Sequence, residues 1–74
     1  MALETLSPRE REIVRRLALG DKQTAIADDL GISVAAVETY ISRARSKVDA
    51  RSTLQLVILW TTRPADIGGP EAEL

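Results

Sequence analysis

Residues 23–48 read QTAIADDL-GIS-VAAVETYISRARSKV, two helical patterns on either side of a three-residue break. The first places Ile26, Ala27 and Leu30 on one side. The second repeats Val37, Ile41, Ala44 and Val48, an i, i+4, i+7, i+11 series that makes one narrow apolar stripe. Between them Gly31 supplies a residue tolerant of positive φ just past the first helix. Ile32 is expected to plug inward and Ser33 to cap the second helix. Two helices joined by a short glycine-containing turn, the second longer and carrying Arg43, Arg45 and Lys47, read as a helix-turn-helix.

Upstream, Leu6-Ser7-Pro8-Arg9-Glu10 is a strong helix start. Ser7 fits the N-cap, Pro8 the first helical position, and Glu10 the third, which completes a capping box. Ile13, Val14, Leu17 and Ala18 form the apolar face of this helix, and Gly20 closes it as a left-handed C′ residue. Asp21 is the expected cap of the next helix. Its Asp28-Asp29 pair reads as solvated, since adjacent helical residues point about 100° apart and no third ligand accompanies them.

Downstream, Ser52 caps a last helix that must end before Pro64, because the residue preceding a proline disfavours the helical region. The inward stripe is expected on Leu54, Val57 and Ile58, supported by Thr61. That leaves a second apolar patch, Leu56, Leu59 and Trp60, on the opposite side, with Arg63 beside it. A helix apolar all round needs cover on both sides, which implies a partner surface, most simply the same helix of a second copy. The sequence therefore predicts an all-α, four-helix domain over residues 1–63, with helices at about 8–19, 23–30, 34–48 and 53–62. Residues 64–74, rich in Pro, Gly and acid, are expected to form a disordered acidic tail.

Composition excludes several classes of function. The 74 residues include no Cys and no His, so there is no disulfide framework, no nitrogen or sulfur ligand for zinc, and no Ser/His or Cys/His pair. No phosphate-binding loop is present either, and a chain this short has little volume for a pocket. We expect no enzyme, no cofactor and no metal. Leu54 to Trp60 is the longest apolar run; Gln55 interrupts it and it is far too short to span a bilayer. Met1 to Leu6 contains Glu4 and lacks an apolar core, so it is no signal peptide. The expectation is a cytoplasmic protein with no membrane association.

The net charge of −1 speaks at first against nucleic acid. Its distribution is more favourable: all ten Lys and Arg lie in residues 1–63 with eight of the eleven acids, leaving +2 there. Strongly basic domains bind DNA through phosphates alone, and this one has a weaker footprint. Counting 100° per residue, the third helix turns Ala35, Thr39, Ser42 and Ser46 away from its apolar stripe. Glu38 and Arg45 flank that face on one side, Ala36, Arg43 and Lys47 on the other. Small residues at the centre allow close approach, and flanking cations suit the phosphates on the walls of a major groove. We assign Ala35, Glu38, Thr39 and Ser42 as base-facing, and Lys22, Tyr40, Arg43, Arg45, Lys47 and Arg51 as phosphate-facing; Arg9 and Arg11 are further candidates for phosphates. Leu56, Leu59, Trp60 and Arg63 are assigned to the dimer or partner interface.

With Leu6-Ser7-Pro8-Arg9-Glu10, Gly20, Ile26-Ala27, Leu30-Gly31-Ile32-Ser33, Val37, Lys47 and Arg51-Ser52 in this order, residues 5–63 resemble the LuxR-type (GerE/FixJ/NarL-like) DNA-binding domain. The resemblance rests on joint order and spacing rather than on any one piece. It implies bacterial transcription regulation, binding as a dimer to an inverted repeat in double-stranded DNA, and dimerisation through the fourth helix. Where the recognition helix of that family usually reads Thr-Val-Lys-x-His, this chain has Ala36-Val37-Glu38-Thr39-Tyr40, and Ser42 stands where a basic residue is common. Ala25 replaces a glutamate of the second helix. Glu38 is open to three readings: a contact to the N4 amino group of cytosine, a repulsive charge that weakens DNA binding, or a surface ion pair with Arg45. The alternative function is accordingly a helix-turn-helix-derived interaction module that regulates a protein partner and does not itself read DNA.

Overall fold

The computed structural model describes residues 5–63, so the expected tail at 64–74 lies outside the described residues. Four helices follow one another: α1 (Pro8–Ala18), α2 (Gln23–Leu30), α3 (Val34–Lys47) and α4 (Thr53–Thr61). Among the described residues there is no strand. The expected last residues Leu19, Val48 and Thr62 are C-caps of α1, α3 and α4, one position beyond the helical hydrogen-bond pattern.

Three of the four helix starts use a serine cap, as expected. The Glu10 N–H donates to Ser7 Oγ at 3.2 Å while Ser7 N–H donates to Glu10 Oε1 at 2.9 Å, the reciprocal capping box. Ser33 Oγ accepts from Ala36 N–H, and Ser52 Oγ accepts from Gln55 N–H, each at 3.0 Å. Helix α2 differs. Its N-cap is Lys22, with no side-chain cap, because Asp21 is engaged elsewhere. The Asp21 carboxylate accepts from Arg16 Nε, and the same guanidinium donates to Asp29 Oδ2 at 2.6 Å, tying the end of α1 to α2. An arginine five residues before the expected cap thus outcompetes the backbone N–H groups for the carboxylate.

Gly20 and Gly31 both take positive φ, 93° and 70°, and each ends a helix. After Gly31, Ile32 N–H donates back to Ala27 O at 3.0 Å, so the chain turns within three residues and α3 leaves in a new direction.

Helix α1 packs on α2, α3 and α4, and α3 also packs on α2 and α4. The core is the expected stripe of α3 (Val37, Ile41, Ala44, Val48) set against Ile13 and Val14 of α1 and Ile26 and Ala27 of α2. Leu6 closes it from the N-terminal side.

On α4 the expected faces are reversed. Leu56 is fully buried and Trp60 is 5% exposed, whereas Leu54 is 69% and Ile58 49% exposed. Val57 and Leu59 are half-buried, and Leu59 packs against the core. The stripe read as inward is therefore largely outward, and Leu56 and Trp60, assigned to an interface, belong to the core. The physical cause lies in the connector. Asp49 takes φ 59°, Ala50 is buried, and Arg45 donates through one terminal nitrogen to Arg51 O at 2.6 Å. These set how α4 leaves the connector, and the six apolar residues of the helix, spread around its axis, do not by themselves choose a face.

Candidate nucleic-acid interface

The outward face of α3 follows directly from its inward one. With Val37, Ile41 and Ala44 buried, the 3.6-residue period leaves Ala35, Glu38, Thr39, Ser42 and Ser46 exposed. All four residues assigned as base-facing are thus brought together on one solvent-facing surface. Fourteen residues of helix extend about 21 Å, and its short side chains at Ala35, Thr39 and Ser42 keep that surface low. A major groove about 12 Å wide admits such a helix.

The hydrogen-bonding capacity of the face is unevenly committed. Thr39 Oγ1 donates to Ala35 O at 3.1 Å, so its proton is used within the helix and lone pairs and a methyl remain outward. Glu38 is exposed and makes no ion pair among the described residues. The Glu38–Arg45 pair considered from sequence is absent, since the Arg45 guanidinium is turned to the α3–α4 connector. The Arg45 Nε is buried without an acceptor, a further sign that this side chain is packed into the connector.

Of the six residues assigned to phosphates, Tyr40 is half-buried with its ring packed against the core, and the other five divide into two groups. Lys22 at the start of α2, Arg43 on α3 and Arg51 in the connector are exposed. Arg43 lies 5.8 Å from the centroid of the half-buried Tyr40 ring, a loose cation–π contact that leaves the guanidinium at the surface. Arg45 and Lys47 are held back. Lys47 Nζ donates to Glu10 Oε1 at 2.8 Å, across 37 residues of chain. Glu10 is 3% exposed while the Lys47 side chain is 39% exposed, so a buried carboxylate meets a cation still partly in water. Burial pushes the Glu10 carboxyl up; the hydrogen bond and charge of Lys47, with the Ser7 N–H and hydroxyl, more than offset this and hold it below its ordinary value. Lys47 therefore serves the join between α1 and α3, and its charge is already matched.

The assigned interface residues do not form one exposed surface. Leu56 and Trp60 are buried, Leu59 is half-buried, and Arg63 stacks over the Trp60 ring at 3.8 Å while donating to Trp60 O at 2.7 Å. The outer surface of α4 instead carries Leu54 and Ile58, which sequence reasoning had placed inside. Their i, i+4 spacing was legible; which of two apolar stripes faced out was not.

Residues 4–60 match the family model described as "Bacterial regulatory proteins, luxR family". A Streptomyces halstedii protein named as the HTH-type transcriptional regulator GfsR is 37% identical over 59 residues, covering 80% of this chain and 24% of that protein. A Pseudomonas aeruginosa protein, also named as a transcriptional regulator, is 42% identical over 55 residues, covering 74% of this chain and 27% of its own length. The chain thus spans about a quarter of the length of these curated relatives. No solved structure matches it significantly.

Proposed function

The chain belongs to the luxR family of bacterial regulatory proteins, and from that premise we propose that it regulates transcription by reading double-stranded DNA as a dimer. The observation that carries this reading is the face of α3. An exposed helix whose centre is Ala35, Thr39 and Ser42, with Arg43 exposed on the same helix and Lys22 and Arg51 exposed at the start of α2 and in the connector, suits insertion into a major groove with cations left for phosphates. Two such helices in a dimer sit about 34 Å apart, one helical turn of DNA. The reading calls for no enzyme activity, no cofactor and no metal, and places the protein in the cytoplasm with the DNA. No helix among the described residues is long and apolar enough to cross a membrane.

Phosphate contacts release counterions, so affinity for any duplex is expected to fall steeply with salt. Arg43→Ala removes an exposed cation, and the slope of log K against log salt is expected to shrink by about 1. Lys47→Met, which removes a cation already matched by Glu10, is expected to change that slope far less. Equal changes in the two variants, measured by fluorescence anisotropy at several salt concentrations, would overturn this division of the cations. A chain that binds no duplex from a randomised pool at low salt would overturn the DNA reading as a whole and favour the interaction-module alternative.

For the dimer, the support is the outward pair Leu54 and Ile58, one helical turn apart on the last helix. Ile58→Asp places a charge at that surface without touching the core. We expect it to shift sedimentation from dimer to monomer and to weaken binding to an inverted repeat more than to a single half-site. Unchanged sedimentation of a dimeric parent and its Ile58→Asp variant would move the interface elsewhere.

A further inference from the structure

We infer that Glu38 selects the target sequence, by accepting a hydrogen bond from the N4 amino group of a cytosine in each half-site. This rests on the DNA-binding reading above and assigns it a base. Glu38 has the longest reach of the four groups on the α3 face: Ala35 has no polar side-chain atom, Thr39 spends its proton on Ala35 O, and Ser42 offers one short hydroxyl. None of the α3 cations neutralises it. Arg45 donates to Arg51 O, Lys47 donates to Glu10 Oε1, and Arg43 lies beside Tyr40. A carboxylate brought to the floor of a groove without a cation at its side must find a donor there or be expelled.

The chemistry of the groove narrows that donor to one base. Guanine presents two acceptors, N7 and O6, and thymine presents the O4 acceptor and a methyl group; both oppose a carboxylate. Adenine has the N6 donor, but its N7 acceptor lies next to it. Cytosine alone shows a donor with no acceptor on its own major-groove edge. The same charge repels phosphates, so Glu38 lowers affinity for every duplex and lowers it least where cytosine is present. Its effect is discrimination, and about ten-fold preference for cytosine at that position is the expected size.

Selection of duplexes from a randomised pool, run at low salt with the 74-residue chain, Glu38→Gln and Glu38→Ala, tests this. The parent is expected to enrich cytosine at one position of each half-site. Glu38→Gln is expected to exchange it for adenine, because the amide can pair with N6 and N7 together. Glu38→Ala is expected to show no preference there and to bind random duplex more tightly than the parent. Glu38 is exposed, so the variants should keep the parent's helical circular dichroism. If the parent enriches a sequence and both variants enrich the same one, the inference about Glu38 fails while DNA reading stands. If the parent enriches nothing and binds no duplex, both fall.

Discussion

Trp60→Ala is expected to remove most of the domain's stability at 25 °C, whereas Ile58→Ala, two residues away, is expected to be almost silent. Trp60 is 5% exposed at the end of α4, against the core built by α1 and α3, and truncating a buried aromatic side chain costs about 3–5 kcal/mol. A domain of this size has a total stability of about 3–9 kcal/mol, so the loss takes most of it. The Arg63 guanidinium over the ring adds to the difference, since the cation–π contact disappears with the indole. Ile58 is 49% exposed, and truncating a surface side chain usually changes stability by no more than about 0.5 kcal/mol. Urea titrations followed by far-UV circular dichroism, at concentrations low enough to keep the chain monomeric, separate the two. A large loss in Ile58→Ala and a small one in Trp60→Ala would return α4 to the orientation read from sequence.

Disruption of the Glu10–Lys47 join is expected to be the next most costly change. Glu10→Ala removes the acceptor for Ser7 N–H and the partner of Lys47 together and empties a site that is 3% exposed. Loss of half a capping box and a partly screened ion pair amounts to about 2 kcal/mol; the Lys47 side chain is 39% exposed and regains water, so the larger penalties of fully buried pairs do not apply. Glu10→Gln keeps an oxygen for Ser7 but drops the charge, and a double-mutant cycle with Lys47→Met is expected to give a coupling of about 1 kcal/mol.

The pair also sets a pH dependence. Glu10 has its carboxyl held below 4.5 in the folded state, so its contribution is complete above that pH and is lost as pH falls through the folded value. The parent is therefore expected to lose stability on acidification below pH 4.5, with Glu10→Gln losing measurably less over the same interval. Parallel curves for the two proteins would show that Glu10 carries no differential protonation.

The elements that sequence reading recovers are those fixed by neighbours in the chain. Ser7, Ser33 and Ser52 each bind a backbone N–H three residues on, and Gly20 and Gly31 turn the backbone where they stand. The exposed face of α3 was legible because its other face is an uninterrupted apolar stripe. What was not legible depends on competition between side chains, on residues far apart or on rotation of a whole helix. Asp21 lost its capping role to Arg16, a competition that distance in the chain does not reveal. Lys47 looked like any other cation of α3 until α1 brought Glu10 to it across 37 residues. On α4, seven consecutive positions with a single polar interruption supply two stripes of similar quality, and hydrophobic period alone does not choose between them. The connector chooses, through Asp49 and the Arg45 grip on Arg51 O.

The packing of α1 directly on α4 bears on how such a domain travels in evolution. The first helix and the last close the same core, with Leu6 and Trp60 both sealed into it, so among the described residues the interior is built from both ends of the stretch. A unit closed in this way is expected to be transplantable whole: joined to new sequence at either end, it is expected to keep its fold and carry the exposed face of α3 along intact. Relatives about four times as long that match over this one stretch are what such portability would leave behind.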